Sequence, residues 1–468
     1  MRHPSRILTL ASLTLCLVLI GQTAAAEDAT HLCNASRTGY TRTSVRPPYR
    51  LKWEYVARHR PQPAWKEPLW EPQRIDFDYA YPVVAADGIA YFASSADHAV
   101  HALDLETGRE RWKFFTGGPV RLAPTVSNGR LYFGSDGGYV YCLDAASGAV
   151  LWRFRPGIPD ERLIGNGQMI SRWPARSGVL VEDGRAYTTF GMLSPEGIFV
   201  CCLDAETGRV VWMNDTSGTR FMTRPHVSSM GGVSPQGYLA ICEDILVVTC
   251  GRAPPALFAK STGECTYHEA EGDFTGGARV MTHGGLAYVP AETLMKEYGA
   301  QLRRGHSGAI HAHDLASLVA MDVDTGREVF TIRGGRRGVI SPDGMITLIG
   351  AGKLRRVALS EVRNAAGEES RVKHTNGHFV SGPDLATWSA DTGSVHALLQ
   401  AGETLIAGQS GKLTCYDAGS GKELWHGAVE GEVRHIAVTP GHVLASTTAG
   451  RIYCFTPGGG SKGPTVEP

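Results

Sequence analysis

The segment VYCLDAASGAVLWRF, residues 140–154, recurs along the chain and its recurrence decides the fold. At 100–114, VHALDLETGRERWKF places Asp104, Thr107, Gly108 and Trp112 where the first copy has Asp144, Ser147, Gly148 and Trp152. CLDAETGRVVW (Asp204, Gly208, Trp212), AMDVDTGREVF (Asp322, Gly326, Phe330) and CYDAGSGKELW (Asp417, Gly421, Trp425) follow. A weaker copy, LFAKSTGECTY, occupies 257–267. An apolar run delivers an Asp whose carboxylate can accept amide hydrogens from the next turn. Gly takes the left-handed conformation that closes a hairpin. An alternating strand then carries an aromatic residue, which suits packing between neighbouring repeats, its indole N–H needing an acceptor.

This pattern resembles the pyrroloquinoline-quinone (PQQ) type propeller repeat and its tryptophan-docking motif, A-x-D-x-x-T-G-K-x-x-W. Five good matches, at Asp104, Asp144, Asp204, Asp322 and Asp417, make the resemblance specific. It spans residues 51–456 and implies an all-β chain: a β-propeller of four-stranded antiparallel blades. Equivalent positions fall at Asp104, Asp144, Asp204, Ala259, Asp322, Ser360, Asp417 and Thr456, which predicts eight blades, with seven as the alternative. LKWEY, 51–55, reads as the last strand of a repeat that lacks its beginning. HVLASTTAGRIYCFT, 442–456, stops just before its turn and aromatic strand. Pairing these two ends would remove an open sheet edge.

Lys and Arg number 46, as do Asp and Glu, so no net charge points to nucleic acid or an anionic membrane. The 57 glycines suit an all-β chain with many turns. Arg2, His3 and Arg6, the apolar run Ile7 to Gly21, and Ala24-Ala25-Ala26 form the pattern of a cleaved secretory signal, residues 1–26. The apolar run is shorter than the ~20 residues that span a bilayer. A periplasmic or extracellular, monomeric chain is expected. Residues 27–50 read as an extended arm and 457–468 as a disordered tail. Nine cysteines remain after the signal. Cys142, Cys202, Cys415 and Cys454 share one repeat position with Ala102 and Ala320, as small buried side chains would.

Long spacings mark insertions at 155–176, 213–237, 268–285 and 291–316, nearly all on the face opposite the Asp-x-x-Thr-Gly turns. Long loops on a rigid scaffold are where binding is expected. Arginines on this face are the first candidates: Arg155, Arg162, Arg172 and Arg176, then Arg220, Arg224, Arg252, Arg279, Arg303, Arg304, Arg336 and Arg337. Guanidinium forks match carboxylates and phosphates, so these form either a positive funnel for an anion or protein partner, or pairs with acids such as Asp160 and Glu161. Asn166, Trp173 and His226 accompany them, either as a pocket with an exposed Trp or as a loop fixed over a central channel. His306, His311 and His313 have weak metal-ligand spacing, without a Cys or Glu to complete a set.

The resemblance implies two functions. PQQ dehydrogenases require calcium bound by Glu, Asn and Asp, a catalytic Asp and often an adjacent-cysteine ring. Here only Asn166 is a nominee, and Cys201-Cys202 lies inside a predicted strand, where successive side chains point to opposite faces and no such ring is expected. Non-enzymatic relatives, such as the propeller lipoprotein of the outer-membrane assembly machinery, use the repeat as a protein-binding platform. A binding or scaffold module is expected, with a PQQ- and calcium-dependent alcohol or sugar dehydrogenase as the alternative.

Overall fold

The computed structural model describes residues 29–65, 75–223, 228–251, 253–268, 276–292, 316–373 and 379–458. Four-stranded antiparallel sheets succeed one another along the chain. The first is Val83–Ala86, Ile89–Ser94, Ala99–Asp104 and Glu110–Phe115, and the second runs from Thr125–Ser127 to Val150–Phe154. The third spans Leu180–Glu182 to Val210–Asn214 and the fourth Ala240–Cys242 to Cys265–Tyr267; the fifth, Met281–His283 to Glu328–Arg333, gains a fifth strand, Phe379–Ser381, parallel to its last. The sixth joins Arg337–Ile340, Met345–Gly350 and Lys353–Ala358 to Trp388–Asp391. First strands are buried along their whole length in the first, second and fourth sheets, whereas last strands alternate exposed and half-buried, so the first strand lies inward and the last at the rim.

A seven-stranded sheet completes the set. Residues 404–409 pair with Val395–Ala401, and 412–417 pair with the first half of Glu423–Thr439. The second half, 433–439, pairs with His442–Thr447. Tyr49–Val56 then adds to Arg451–Pro457, so the two ends of the repeat region share one sheet.

The repeated residues do locally what their chemistry allows. Asp144 Oδ1 accepts from the Ser147 amide and hydroxyl at 2.8 and 2.6 Å, and Asp104, Asp204, Asp322 and Asp417 repeat the pattern. Six of the rim aromatics then each sit on the turn of another sheet. Trp112 Nε1 donates to Ala145 O at 3.2 Å, and a Cβ on Gly148 (φ 74°) would lie 2.7 Å from the Trp112 ring. Trp53, Trp152 and Trp212 do the same with Leu105, Ala205 and Lys260. Buried apolar layers from adjacent sheets fill the space between, such as Tyr91 and Ala102 against Phe133 and Leu143. Cys142, Cys202, Cys415 and Cys454 are free and buried in these layers.

Three features depart from the expected pattern. The marker in the sixth sheet is Ala358, opposite Met345, not Ser360, which lies in the first turn of the helix Leu359–Lys373. That helix inserts between third and fourth strands, on the end opposite the other insertions, and moves the docking tryptophan to Trp388. Trp388 Nε1 donates to Ala418 O at 3.0 Å. Trp425 has no such acceptor for its buried N–H. Its neighbouring third and fourth strands come from opposite ends of the chain, so no continuous turn exists there to receive it.

The arm does not stand free. Ala29 bridges Val126 of the second sheet, and Ala35 O accepts from Ile241 N of the fourth at 3.0 Å. Ser36, Thr38 and Gly39 carbonyls accept from Thr282, Ile340 and Gln400, in the inner strands of the next three sheets. Inner edges thereby find partners for amides that a closed interior would leave unsatisfied. Leu32, Cys33 and Arg37 adopt φ of 53°, 72° and 56°, a left-handed conformation that non-glycine residues keep only when surroundings impose it. Arg37 imposes much of it, donating to Leu239 O at 2.8 Å, His31 O at 2.8 Å and Thr30 Oγ1 at 2.7 Å. Arg37→Met strands these buried acceptors at about 1–3 kcal/mol each. The denaturation midpoint is expected to fall clearly; an unchanged midpoint would mean that the arm is not anchored as described.

Candidate functional site

Two charged clusters occupy the interior at the insertion end of the inner strands. In the first, Asp136 accepts from Arg176 through both carboxylate oxygens at 2.7 Å and from Arg121 Nε at 2.6 Å. Arg121 also donates to Asp78 Oδ2 at 2.6 Å, and the Ala64 amide meets the same oxygen at 2.9 Å. Arg121 and Arg176 are among the most completely buried large side chains. Burial raises the Asp136 pKa, but Arg176 and Arg121 together outweigh it and hold the carboxyl below the ordinary range. Buried charges survive only when paired in this way.

The cluster secures an insertion. Residues 162–171 form a hairpin, Arg162–Gly165 against Gln168–Ser171, with Asn166 (φ 54°) at its tip. Asn166 Oδ1 accepts from Arg176 at 2.8 Å, which ties the tip to the core. Trp173 is buried at 8% exposure, donating to Glu196 O at 2.9 Å, and is therefore a fastener and not the exposed Trp of a pocket. Arg172 lies over its ring and pairs with Glu161 at 2.8 Å. Arg155 pairs with Asp160 at 3.0 Å, and Arg162 approaches the same acid at 3.7 Å. On this loop the arginines are thus largely matched. Ile164 and Met169 remain 79% and 51% exposed.

The second cluster surrounds Asp76. Arg337 pairs with it directly, with Arg279 and Arg434 at 3.8 and 4.0 Å. Burial raises the Asp76 pKa, but Arg337 and Arg279 overturn this and hold it far below the carboxylate range. His31, from the arm, stacks on Tyr238 with centroids 3.5 Å apart and meets His435 edge-on at 5.8 Å. His435 Nε2 lies 3.1 Å from Phe77 O. Burial and then Arg279 push His31 well below its ordinary value and His435 down to about 3.

Of the expected site residues, the structure thus sets Asn166 and Trp173 at the Arg176 fastening, Arg162 and Arg172 on the rim, and Arg279 at the centre. Arg220 begins the strand Arg220–Thr223. Arg224, His226, Arg252, Arg303, Arg304, His306, His311 and His313 lie outside the described residues. Asp76, Asp78, Arg121, Asp136, Arg434 and His435 were not anticipated. The one trace of the first two is IDFDY, 75–79, a paired carboxylate motif outside the repeat.

A quinone with calcium is what PQQ enzymes would place in such a centre, and these residues do not fit it. Calcium takes six to eight oxygen ligands. The carboxylates of Asp76, Asp78 and Asp136 are already held by arginines, and Asn166 offers its oxygen to Arg176. Cys201 and Cys202 are free, buried and paired across the sheet with Met213 and Trp212 in turn, so they form no ring.

Unfolding lets His31 and His435 take up protons that the folded chain excludes. Between the ordinary imidazole value near 6.5 and about 3 for His435, the unfolded chain binds more protons, so stability falls as pH drops through that window. For His435 alone this amounts to about 2–3 kcal/mol at pH 4.5. Thermal midpoints from pH 7 to 4.5 are expected to decline, and His435→Gln to flatten the slope. Equal slopes in both proteins would remove His435 as the cause.

Comparison with known proteins agrees with this architecture. The dehydrogenase subunit of alcohol dehydrogenase (quinone) from Gluconobacter oxydans (strain 621H) is 31% identical over 176 residues, 34% of this chain and 20% of that protein. The corresponding subunit from Komagataeibacter europaeus is 30% identical over 153 residues, 30% of this chain and 19% of that one. The chain thus spans about a fifth of the length of these curated relatives. Quinohemoprotein alcohol dehydrogenase from Comamonas testosteroni superposes with a TM-score of 0.59 at 13% identity, over 93% of this chain and 81% of that one. A europium-containing methanol dehydrogenase gives 0.56 at 11%, over 91% and 97%. At such identity the likeness is one of fold. Residues 62–220 and 367–462, more than half of the chain, match the PQQ-like repeat family described as outer membrane protein assembly factor BamB, and the chain belongs to that family.

Proposed function

We propose that this chain is an exported, monomeric, eight-bladed propeller that serves as a protein-binding platform through its insertion loops. The seven-stranded sheet contributes two of the eight blades, and Tyr49–Val56 closes the ring as the outer strand of the last. The observation that carries the function is the hairpin at 162–171. It presents Ile164 and Met169 to solvent while Arg176 fixes its tip, through Asn166, to the buried Asp136. Exposed apolar residues on a preorganised element favour association, because little freedom is lost on binding. Leu193, 48% exposed, lies on the neighbouring loop, which Arg172 joins through Glu196 at 3.8 Å. Arg162 and Arg172 supply a charged border, the arrangement of an apolar centre with a polar rim.

Kinship with quinone dehydrogenases supports the alternative, an alcohol or sugar oxidation with PQQ and calcium. It is opposed by the arginine pairing of every buried carboxylate at the described centre.

A photo-crosslinking residue in place of Ile164 is expected to trap one defined protein in the intact cell envelope. Met169→Asp beside it should remove the adduct, and the same probe in place of Leu424, on the rim, should not form it. Identical adducts from both sites would overturn the platform. Titration of PQQ with calcium into the purified chain is expected to give no saturable heat; one-to-one binding with dye reduction on adding alcohols would establish the dehydrogenase instead.

A further inference from the structure

The seam between Tyr49–Val56 and the first sheet is built differently from the seam that follows it. Between the first and second sheets, Phe114 packs on Phe133 and Tyr141 with centroids 6.1 and 5.3 Å away. The same repeat positions at the preceding seam hold Tyr55, Phe92 and His101. Tyr55 lies 5.3 Å from Phe92, and His101 stacks on Phe92 at 4.4 Å. Glu110 stands where the second sheet has Val150. His101, with a side chain only 4% exposed, bridges Asp97 at 3.0 Å and Glu110 at 2.7 Å, and Lys113 meets Glu110 at 3.4 Å. A polar layer in place of packed rings costs stability that the neighbouring seam does not give up.

This seam also contains a cavity of about 250 Å³, which opens to solvent past the exposed Arg58, His59 and Phe115. A cavity of about 150 Å³ holds benzene, so this one takes a ring with a substituent or two. Phe115, 63% exposed, is approached only by the Lys113 ammonium at 5.7 Å and leaves ring surface for a ligand. The Tyr55 hydroxyl is not sealed from solvent and has no hydrogen-bond partner among the described residues. Burial, then Glu110 and Asp97, push its pKa up to about 12, so it is a donor at neutral pH. Burial would raise the Asp97 pKa, but the bond from His101 outweighs it and holds it at about 2, so this carboxylate, 32% exposed, is an acceptor.

Asp97 and Lys113 both line the cavity, so an anion would meet the first and a cation the second as like charges. A neutral hydroxyl avoids both penalties, since it accepts from Tyr55 and donates to Asp97. We propose that this cavity binds a small neutral phenol, with its ring against Phe115 and Tyr55 and its hydroxyl between Tyr55 and Asp97. Aromatic walls with a few convergent polar groups are the usual make-up of such a site. It lies apart from the hairpin at Ile164 and Met169 and shares no residue with it, so either can fail without the other.

The probe is p-cresol, with 4-methylanisole as the analogue that keeps the ring but cannot donate. Calorimetry on the purified chain is expected to show saturable one-to-one binding of p-cresol, and binding of 4-methylanisole weaker by about tenfold. Tyr55→Phe installs the residue that the next seam carries at Phe114, so the fold should tolerate it, and p-cresol should bind about three- to tenfold more weakly. Phe115→Ala, at the exposed mouth, should weaken both ligands. Tyramine and 4-hydroxyphenylacetate, the charged analogues, should each bind less well than p-cresol. No saturable heat with p-cresol, equal affinity for 4-methylanisole, tighter binding of a charged analogue, or unaltered p-cresol affinity in the Tyr55→Phe and Phe115→Ala proteins would each overturn the proposal.

Discussion

The seating of an aromatic ring on the glycine of the neighbouring turn is the contact on which the molecule depends. Gly108, Gly148, Gly208, Gly263, Gly326 and Gly421 each approach a ring carried by another sheet so closely that a Cβ would fall below 3 Å. Sheets joined by such a seat therefore complete their rims only against a neighbour. The seat formed by Trp53 and Gly108 extends this dependence to the chain ends, since Trp53 lies in the strand that pairs with Arg451–Pro457. A strand from the start of the repeat region must wait for the end of it, a contact whose loop-closure entropy is met only late in folding. Because seats lie near the rim at one end, the other end is free to lengthen. The hairpin at 162–171 and the paired strands Arg220–Thr223 and Ser228–Gly231 enlarge that end.

Packing at the rim leaves a second problem at the axis, where inner strands present unpaired amides to one another. The arm answers it by lending carbonyls of Ala35, Ser36, Thr38 and Gly39 to four successive sheets. Its contorted backbone at Leu32, Cys33 and Arg37 follows from this task, since it must turn repeatedly to reach edges arranged around it. Its side chains then define what space is left. His31 against Tyr238 closes the passage, and the cavity at Arg279 is what remains on the insertion side.

What could be seen in the sequence follows the range of each interaction. Asp144, Ser147, Gly148 and Trp152 act within one hairpin and its immediate neighbour, so their spacing spells them out. Trp388 escaped because the helix Leu359–Lys373 separates it from the strand it completes, and the same helix displaced the expected marker from Ala358 to Ser360. Arg172 and Arg176 are four residues apart with similar composition around them. One lies on the rim beside Glu161 and the other is fully buried against Asp136, and only the three-dimensional path of the loop separates these fates. Asp76 and Arg337 are 261 residues apart, and no local pattern could have joined them. Arginine on the insertions was thus visible as a type, while its division between fasteners and the central cavity was not.

That division gives the interior a cation of its own with which to order a loop. Calcium gathers carboxylate and amide oxygens from separate segments into one rigid point. At Asp136 the same gathering is done by Arg176, which holds two carboxylate oxygens and the Asn166 amide oxygen at 2.7–2.8 Å. Guanidinium brings a single charge and a planar fork in place of a divalent sphere, so it orders the loop but leaves no open coordination position for chemistry. Since the cation is part of the chain, the hairpin it fixes is preorganised whatever the metal supply. A surface held in one shape at all times suits recognition of a partner, for which the cost of ordering has already been met in folding.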